Sequence, residues 1–424
     1  MSKIAPSWFG DSTVVCKNNA FVVSSPDGGR ALFSVAACKD VMGEETGEKE
    51  IVLADWHAGS GGTRRGFGKS VVLLMAAVAH EEGVSRMRVF QPTPDADAAL
   101  ERFCEHQLLK RDDENGFSIN SSVRRSAHQA FFENCDLKYE QALQTNNTSA
   151  ASAWLTTAAH LQGFSLGPVW HGSPHQFTRF NVDLAGQTDD GYYGVGIYFS
   201  PLKESAEDYG PHITEALLRA KKPFYYYDSG VCGDIIKSRE ALAKLPFVDA
   251  HIKPNYAIPE GYQFHEHTRL PGSWGGEGLE YCVGPDPEHY DDPNAFYGQG
   301  FPTKNEAVVS FNDERNGVNY FDTGWATSLL KSVGRGDFTK RLAKAGYDAM
   351  VIVDDEGTNE VLVWSPNNIK SAKLVERSES GDIIPPSARF DKNTDDIRGA
   401  PTVSLAAGMR RSGANIKSSA RVFA

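Results

Sequence analysis

The sequence predicts an α+β protein, with an α/β domain at the N-terminus and a second domain of short strands and interspersed helices behind it. Three observations carry this. The chain has 424 residues, more than one ordinary core organises, so two or three domains are expected. Its first third alternates strand-like and helix-like stretches. From Gly167 to about Lys373 the pattern changes to short β-type runs punctuated by Gly and Pro.

In chain order, Glu50–Trp56 (EIVLADW) reads as a buried strand and Gly66–Gly83 as a helix stopped by a glycine. Arg86–Phe90 is a second strand. Asp95–Gln107 is a second helix, whose negative first turn suits the helix dipole. This βαβα order implies some parallel pairing. Residues 1–120 are therefore read as the α/β domain. Between Ser121 and Gly167 the chain turns rich in Ala, Gln, Asn and Ser, and Gln144–Ser152 has almost no apolar content. We read 121–166 as a polar linker with helical pieces such as Val123–Gln144. The second domain covers 167–375, with a loop-heavy insertion around 231–299. The tail 376–424, charged and rich in Pro, Ser and Gly, is expected to be disordered.

Composition excludes several classes. Hydrophobic residues at 40% and charged residues at 23% describe globular material, not a disordered chain. The 43 Lys+Arg against 55 Asp+Glu leave a net charge of -12, so no basic excess argues for nucleic acid. The longest apolar run, Val71–Ala79, falls short of the ~20 residues of a membrane span. The first residues lack the pattern of a signal peptide. Six scattered cysteines (Cys16, Cys38, Cys104, Cys135, Cys232, Cys282) read as reduced thiols in a cytosolic folding environment.

The chemistry concentrates in the second domain. Val169-Trp170-His171-Gly172-Ser173 describes a strand whose end presents an imidazole beside bare backbone. Tyr193-Gly194-Val195-Gly196-Ile197-Tyr198-Phe199 is a glycine-loosened strand ending in an aromatic pair. Ser200-Pro201 then reads as N-cap and first residue of a helix Pro201–Tyr209. Ala345–Val353 is a helix stop feeding a strand, and Asn359–Trp364 a strand closed by the turn Ser365–Lys370. Period two places Glu360 on one face with Leu362 and Trp364, and a carboxylate on such an apolar face needs a reason. Each motif alone also fits an ordinary turn, core aromatic or salt-bridged residue; it is the ordered set that carries information.

That set resembles the ADP-ribosyltransferase fold of the diphtheria-toxin and poly(ADP-ribose) polymerase type, with His, Tyr and Glu on three separated strands. His171-Gly172-Ser173 matches the first motif, Gly196-Ile197-Tyr198-Phe199 the second, and Glu360 opens the third strand. The block from Gly346 through Ser371 is most similar to ADP-ribosyltransferase domains of phage and mobile-element polyvalent proteins. The resemblance spans about Pro168–Lys373 and implies a split-sheet domain that uses NAD as substrate. It implies that Gly172 and Ser173 border the nicotinamide and that Tyr198 and Tyr209 sandwich its ring. It also implies that His171 bonds the adenosine-side ribose and that Glu360 holds the nicotinamide ribose and favours its cationic transition state. No metal is implied. The second glutamate of arginine-modifying relatives is absent, since Thr358 stands there.

Gly59–Ser70 (GSGGTRRGFGKS) follows a strand and opens a helix, as a phosphate-binding loop does. A Walker A needs a glycine where Thr63 stands, so that match fails. The order of elements after the loop resembles the GCN5-related N-acetyltransferases, which implies an acetyl-CoA loop at Gly66 and Gly68. Thr63 departs from their basic or amide residue. No tyrosine lies near Phe103-Cys104, where many of them have a general acid. His265-Glu266-His267 with Cys232 and Cys282 offers ligands for a zinc site, since alternate residues on a strand share a face, but the spacing fits no known module and exposed His in an acidic loop is the commoner explanation.

The expected function is transfer of a single ADP-ribose from NAD to a macromolecular acceptor, protein or nucleic acid. The resemblance implies a phage-encoded protein acting in a host cytoplasm or carried in a virion, with virion components as partners and no membrane. Two rival readings stand beside it: an internal virion protein whose enzyme-like domains are inactive, and an N-acetyltransferase that uses the C-terminal domain for targeting.

Overall fold

A computed structural model describes residues 13–17, 20–25, 28–39, 45–57, 67–90, 94–113, 116–185, 193–227, 240–247, 255–269, 278–285, 301, 303–315, 335–354 and 357–399. The chain divides into two compact units. One is Met1–Ser165 with Leu217–Arg219 and Ile369–Ala424; the other is Leu166–Ala216 with Ala220–Asn368.

The first unit opens with a meander that the sequence reading did not assign. Strands β1 (Thr13–Lys17), β2 (Ala20–Ser24), β3 (Arg30–Lys39) and β4 (Glu45–His57) pair antiparallel in succession. Helix α1 (Phe67–Glu81) then crosses to β5 (Arg86–Val89), which pairs parallel to β4 through Ile51↔Met87 and Leu53↔Val89. After α2 (Pro94–Glu105), strands β6 (Leu109–Arg111) and β7 (Gly116–Ile119) complete the order β1-β2-β3-β4-β5-β7-β6. The apolar run Val71–Ala79 is buried at every position, as it must be in a helix with core on all sides.

Residues 121–166 are not a linker. They form α3 (Ser121–Gln144) and α4 (Thr148–Leu161), whose apolar faces join the core around α1. The polar stretch misled because its residues are turn and cap. Asn120 Oδ1 accepts from the Ser122 N–H at 2.9 Å, and Asn147 Oδ1 from the Ala150 N–H at 3.0 Å. On α4, buried His160 accepts the Cys16 N–H on Nδ1 at 3.0 Å, which ties down β1.

Burial pushes the His128 imidazole of α3 down to about 4, with neighbouring His80 adding to the effect. The folded pKa lies below the unfolded one, so between about 6.5 and about 4 the unfolded state holds more protons. Stability from this group is complete above that window and lost as pH falls through it. His128→Phe is therefore expected to lose less stability than wild type between pH 7 and pH 4, by up to about 3 kcal/mol in denaturant titrations. Identical pH slopes would refute this.

The second unit starts with β8 (Leu166–Ser173) and β9 (Ile197–Phe199), followed by α5 (Lys203–Glu207) and β10 (His212–Leu218). Next come β11 (Pro223–Tyr227), the hairpin β12 (Tyr262–Arg269) and β13 (Gly278–Pro285), α6 (Lys304–Arg315) and α7 (Arg335–Lys344). Strands β14 (Ala349–Asp354) and β15 (Gly357–Val363) close it. One sheet has the order β11-β14-β15-β9, with β11 and β14 parallel and the other pairs antiparallel. In another sheet β8 lies beside β10. Between β8 and β9 there is only a bridge, Trp170↔Ser200, with two hydrogen bonds of 2.8 Å. The Asp348 carboxylate accepts the Lys221 and Lys222 N–H groups at 2.7 and 3.0 Å and so fixes β11 beside β14. Just past the loop-heavy stretch, α6 begins with a capping box: Thr303 N–H donates to Glu306 Oε2, and the Glu306 N–H to Thr303 Oγ1.

The helix expected over Pro201–Tyr209 is shorter. Ser200 does not cap it; its Oγ accepts the Leu202 N–H at 3.0 Å in a turn, and helix begins at Lys203.

Beyond β15 the chain returns to the first unit with β16 (Ile369–Ser371) and α8 (Pro386–Arg389). The expectation of disorder from 376 fails as far as 399; residues 400–424 lie outside the described residues. Composition concealed a polar lock. The fully buried Arg389 donates to the carbonyls of Ser371, Lys373 and Leu374 at 2.9, 2.6 and 3.3 Å. Lys370, equally buried, donates to those of Thr394 and Asp396.

Candidate active site

Three strands of the second unit carry His171, Tyr198 and Glu360, and Tyr209 follows the short helix α5. His171 and Gly172 stand at the end of β8. The register of β15 against β9 sets Leu362 opposite Tyr198, and opposed residues of an antiparallel pair share a face. Glu360 is two residues from Leu362, so Glu360, Leu362 and Tyr198 project from one side of the sheet. On the far side of Glu360 stands Ile352, and the pairing of β14 with β15 shifts immediately after it. Glu360 is half-buried, beside a strand whose next three residues are fully buried.

His171 is coupled to the same strand. Its Nδ1 lies 2.8 Å from the backbone oxygen of Tyr198. A carbonyl oxygen only accepts, so Nδ1 carries the proton and, in the neutral ring, Nε2 carries the lone pair. Burial lowers the imidazole pKa, and the Tyr198 carbonyl offsets this in part. The ring is thus neutral at pH 7, with a hydrogen-bond acceptor at Nε2.

Around it is an aromatic box that the sequence reading missed. Phe180, Phe199 and Phe177 have ring centroids 5.0, 5.5 and 6.0 Å from that of His171. Phe177 and Phe180 pack edge-to-face at 4.6 Å. The available signal was Phe-x-x-Phe just behind His-Gly-Ser-Pro, apolar residues in a stretch otherwise polar.

Gly172 is required for a local reason. A Cβ there would run into the Ala206 carbonyl at the end of α5, close to Tyr209 Cβ. Gly210, at φ +144°, is held likewise against the backbone of Ser173. These contacts seat α5 on the end of β8 and place Tyr209, 67% exposed, beside Gly172. The Ser173 hydroxyl accepts the His175 N–H at 3.2 Å. The Tyr198 hydroxyl donates to the Gly194 carbonyl at 2.6 Å and accepts the Tyr193 N–H at 3.1 Å, so the backbone of its own loop holds it in place.

Gly66 and Thr63 lie outside the described residues. A Cβ on Gly68 would come within 2.5 Å of the Trp56 ring, so this glycine lets Trp56 pack on the first turn of α1. His265 stands opposite Cys282 in the hairpin. Among the described residues no three His, Cys, Asp or Glu side chains gather as a metal site, and no helix is long and apolar enough to cross a membrane.

No curated protein matches this sequence. A family model described as ADP-ribosyltransferase in polyvalent proteins matches residues 163–377, half of the chain, and includes all of β8, β9, α5 and β15. The chain belongs to the ADP-ribosyltransferase family of polyvalent proteins.

Proposed function

We propose that this protein cleaves NAD and transfers one ADP-ribose to a macromolecular acceptor, acting on host components as a phage-encoded factor. The observation that carries the reading is that Glu360 and Tyr198 share a sheet face while His171 is bonded to the Tyr198 backbone. In this reading the nicotinamide lies between the rings of Tyr198 and Tyr209, and the Gly172 backbone, with Ser173 beside it, pairs with its carboxamide. His171 Nε2 accepts from a ribose hydroxyl on the adenosine side. As the nicotinamide C–N bond breaks, its electron pair leaves with nicotinamide and the ribose carbon becomes cationic. The Glu360 carboxylate stabilises that charge while it holds the 2′-hydroxyl. An acceptor nucleophile then forms the new bond at that carbon and gives up its proton.

The test is nicotinamide release from NAD by the full chain with cell lysate, together with NAD binding. Tyr198→Ala is expected to weaken NAD binding about tenfold, the scale of one stacked ring. Absence of both turnover and NAD binding in the wild type would leave the inactive virion component as the better reading.

A second reading concerns the first unit, as an acetyl-CoA-dependent transferase. In its favour, β4 pairs parallel with β5 as far as Leu53 and itself continues to His57. At that point β4 bulges against β3, with Leu32 opposite Asp55 and Phe33 opposite Leu53. Thermal stabilisation of the full chain by coenzyme A would support this reading, and no shift at millimolar ligand would end it.

A further inference from the structure

The Phe177–Phe180 pair lies outside every motif that identified the site, yet it is what encloses the site histidine. Behind Ser173 the chain turns back, and Phe180, 9% exposed, sets its ring 5.0 Å from that of His171 at 78°. Phe177 packs edge-to-face on Phe180 and also reaches His171, and Phe199 adds a third ring from β9, 5.8 Å from Phe180. The polar and charged residues of that turn, His175, Gln176, Thr178 and Arg179, are all exposed. Among the described residues no charged side chain contributes to the His171 shift, which comes from burial, offset in part by the Tyr198 carbonyl.

Two consequences follow. With its plane held by three rings, the imidazole keeps the Nδ1–H on the Tyr198 oxygen and Nε2 in a single direction. With apolar rings on three sides of the imidazole, the cationic ring, which would carry a second N–H and lose its acceptor, is disfavoured.

We propose that Phe180, braced by Phe177, is a positioning residue that holds His171 as a neutral acceptor for a ribose hydroxyl of NAD. This rests on the NAD reading of the site. The box contributes to binding of the dinucleotide rather than to the bond-breaking step, because the ribose it serves is not the one that reacts.

The experiment uses the full chain as wild type, Phe180→Leu and Phe177→Leu, with His171→Gln to assign the resonance. Nitrogen-15 spectra of the histidine rings read the His171 tautomer and titration midpoint without any ligand, and steady-state kinetics read NAD turnover. Wild type should show a single Nδ1–H tautomer and a midpoint below the ordinary histidine value. Both Phe variants should mix tautomers and move the midpoint up, Phe180→Leu further. Their KM for NAD should rise about fivefold to tenfold, the scale of one well-aimed hydrogen bond, with a much smaller change in kcat. An unchanged tautomer and midpoint in both variants would overturn the proposal, as would a fall in kcat at constant KM. Should Phe180→Leu not fold, Phe177→Leu carries the same test, since Phe177 is the less buried of the two. A wild type without NAD turnover but with the expected ring spectra would sink the NAD reading and leave the box intact, so the two failures are distinguishable.

Discussion

Replacing Glu360 by Gln is expected to lower nicotinamide release by two to three orders of magnitude while NAD affinity changes little. Glutamine has nearly the shape of glutamate and still offers an oxygen to a ribose hydroxyl, so ground-state contacts survive. What it lacks is the negative charge, and that matters only when positive charge has grown on the ribose. An interaction made in the transition state alone appears in kcat, not in KM. Loss of one such electrostatic group from a half-buried site costs roughly 3–4 kcal/mol, a factor of 10² to 10³. The site on β15 suits this role, because Glu360 shares its face with Leu362 and Tyr198 and has the buried run Val361–Val363 beside it. Single-turnover release of labelled nicotinamide, with NAD binding measured separately, checks the prediction. A variant that retains more than a tenth of the rate would remove Glu360 from the chemistry. Thr358, two residues before it, is exposed and carries no charge, so arginine is not the expected acceptor side chain.

The parts of this site visible in the sequence were those with local signatures. His171-Gly172 sits at a strand end, the Tyr198 strand follows glycines, and period two aligns Glu360 with Leu362; each is fixed within a few residues. Contacts that close only in three dimensions were not visible. Nothing in the spacing shows that Gly172 is needed to admit the Ala206 carbonyl, or that Phe177 and Phe180 turn back onto His171. In the first unit, the crossing between β4 and β5 followed from the strand–helix–strand order, whereas the β1–β3 meander did not. Two of its strands, β1 and β2, are only five residues long, and partners in a meander are chosen by register. The stretch Gln144–Ser152 shows how composition misleads: the same Asn and Thr that make a linker hydrophilic also cap and start a helix. Asn147 does so for α4, whose Trp154, Leu155 and Leu161 are core residues.

The segment that composition assigned to disorder supplies the largest expected effect on stability. Arg389→Met is expected to destabilise the first unit by about 3–5 kcal/mol, although methionine fills much of the same volume. The Arg389 guanidinium is fully buried and holds three main-chain carbonyls between Ser371 and Leu374. The last of these also accepts the Tyr139 hydroxyl of α3, at 2.5 Å. Burial lowers the pKa of Arg389, but its hydrogen bonds keep the cation in place. Methionine would leave the Ser371 and Lys373 oxygens inside the protein without this donor, and an unmet buried carbonyl costs roughly 1–3 kcal/mol. Phe390, whose ring is tilted against that of Phe164 at 5.6 Å, and Ser387, which donates to Asp136 through both N–H and hydroxyl, would lose their fixed position as well. A chain of two units need not unfold in one step, so amide hydrogen exchange along α3 and α4 is the proper readout. Protection there should fall by two to three orders of magnitude, at 1.4 kcal/mol per factor of ten, while the amides of β14 and β15 keep theirs. Arg389→Lys should recover only part of the loss, because an ammonium cannot reproduce the planar fork that spans three carbonyls. Full protection of α3 and α4 in the Met variant would mean that the segment 374–399 is attached to the first unit without supporting it.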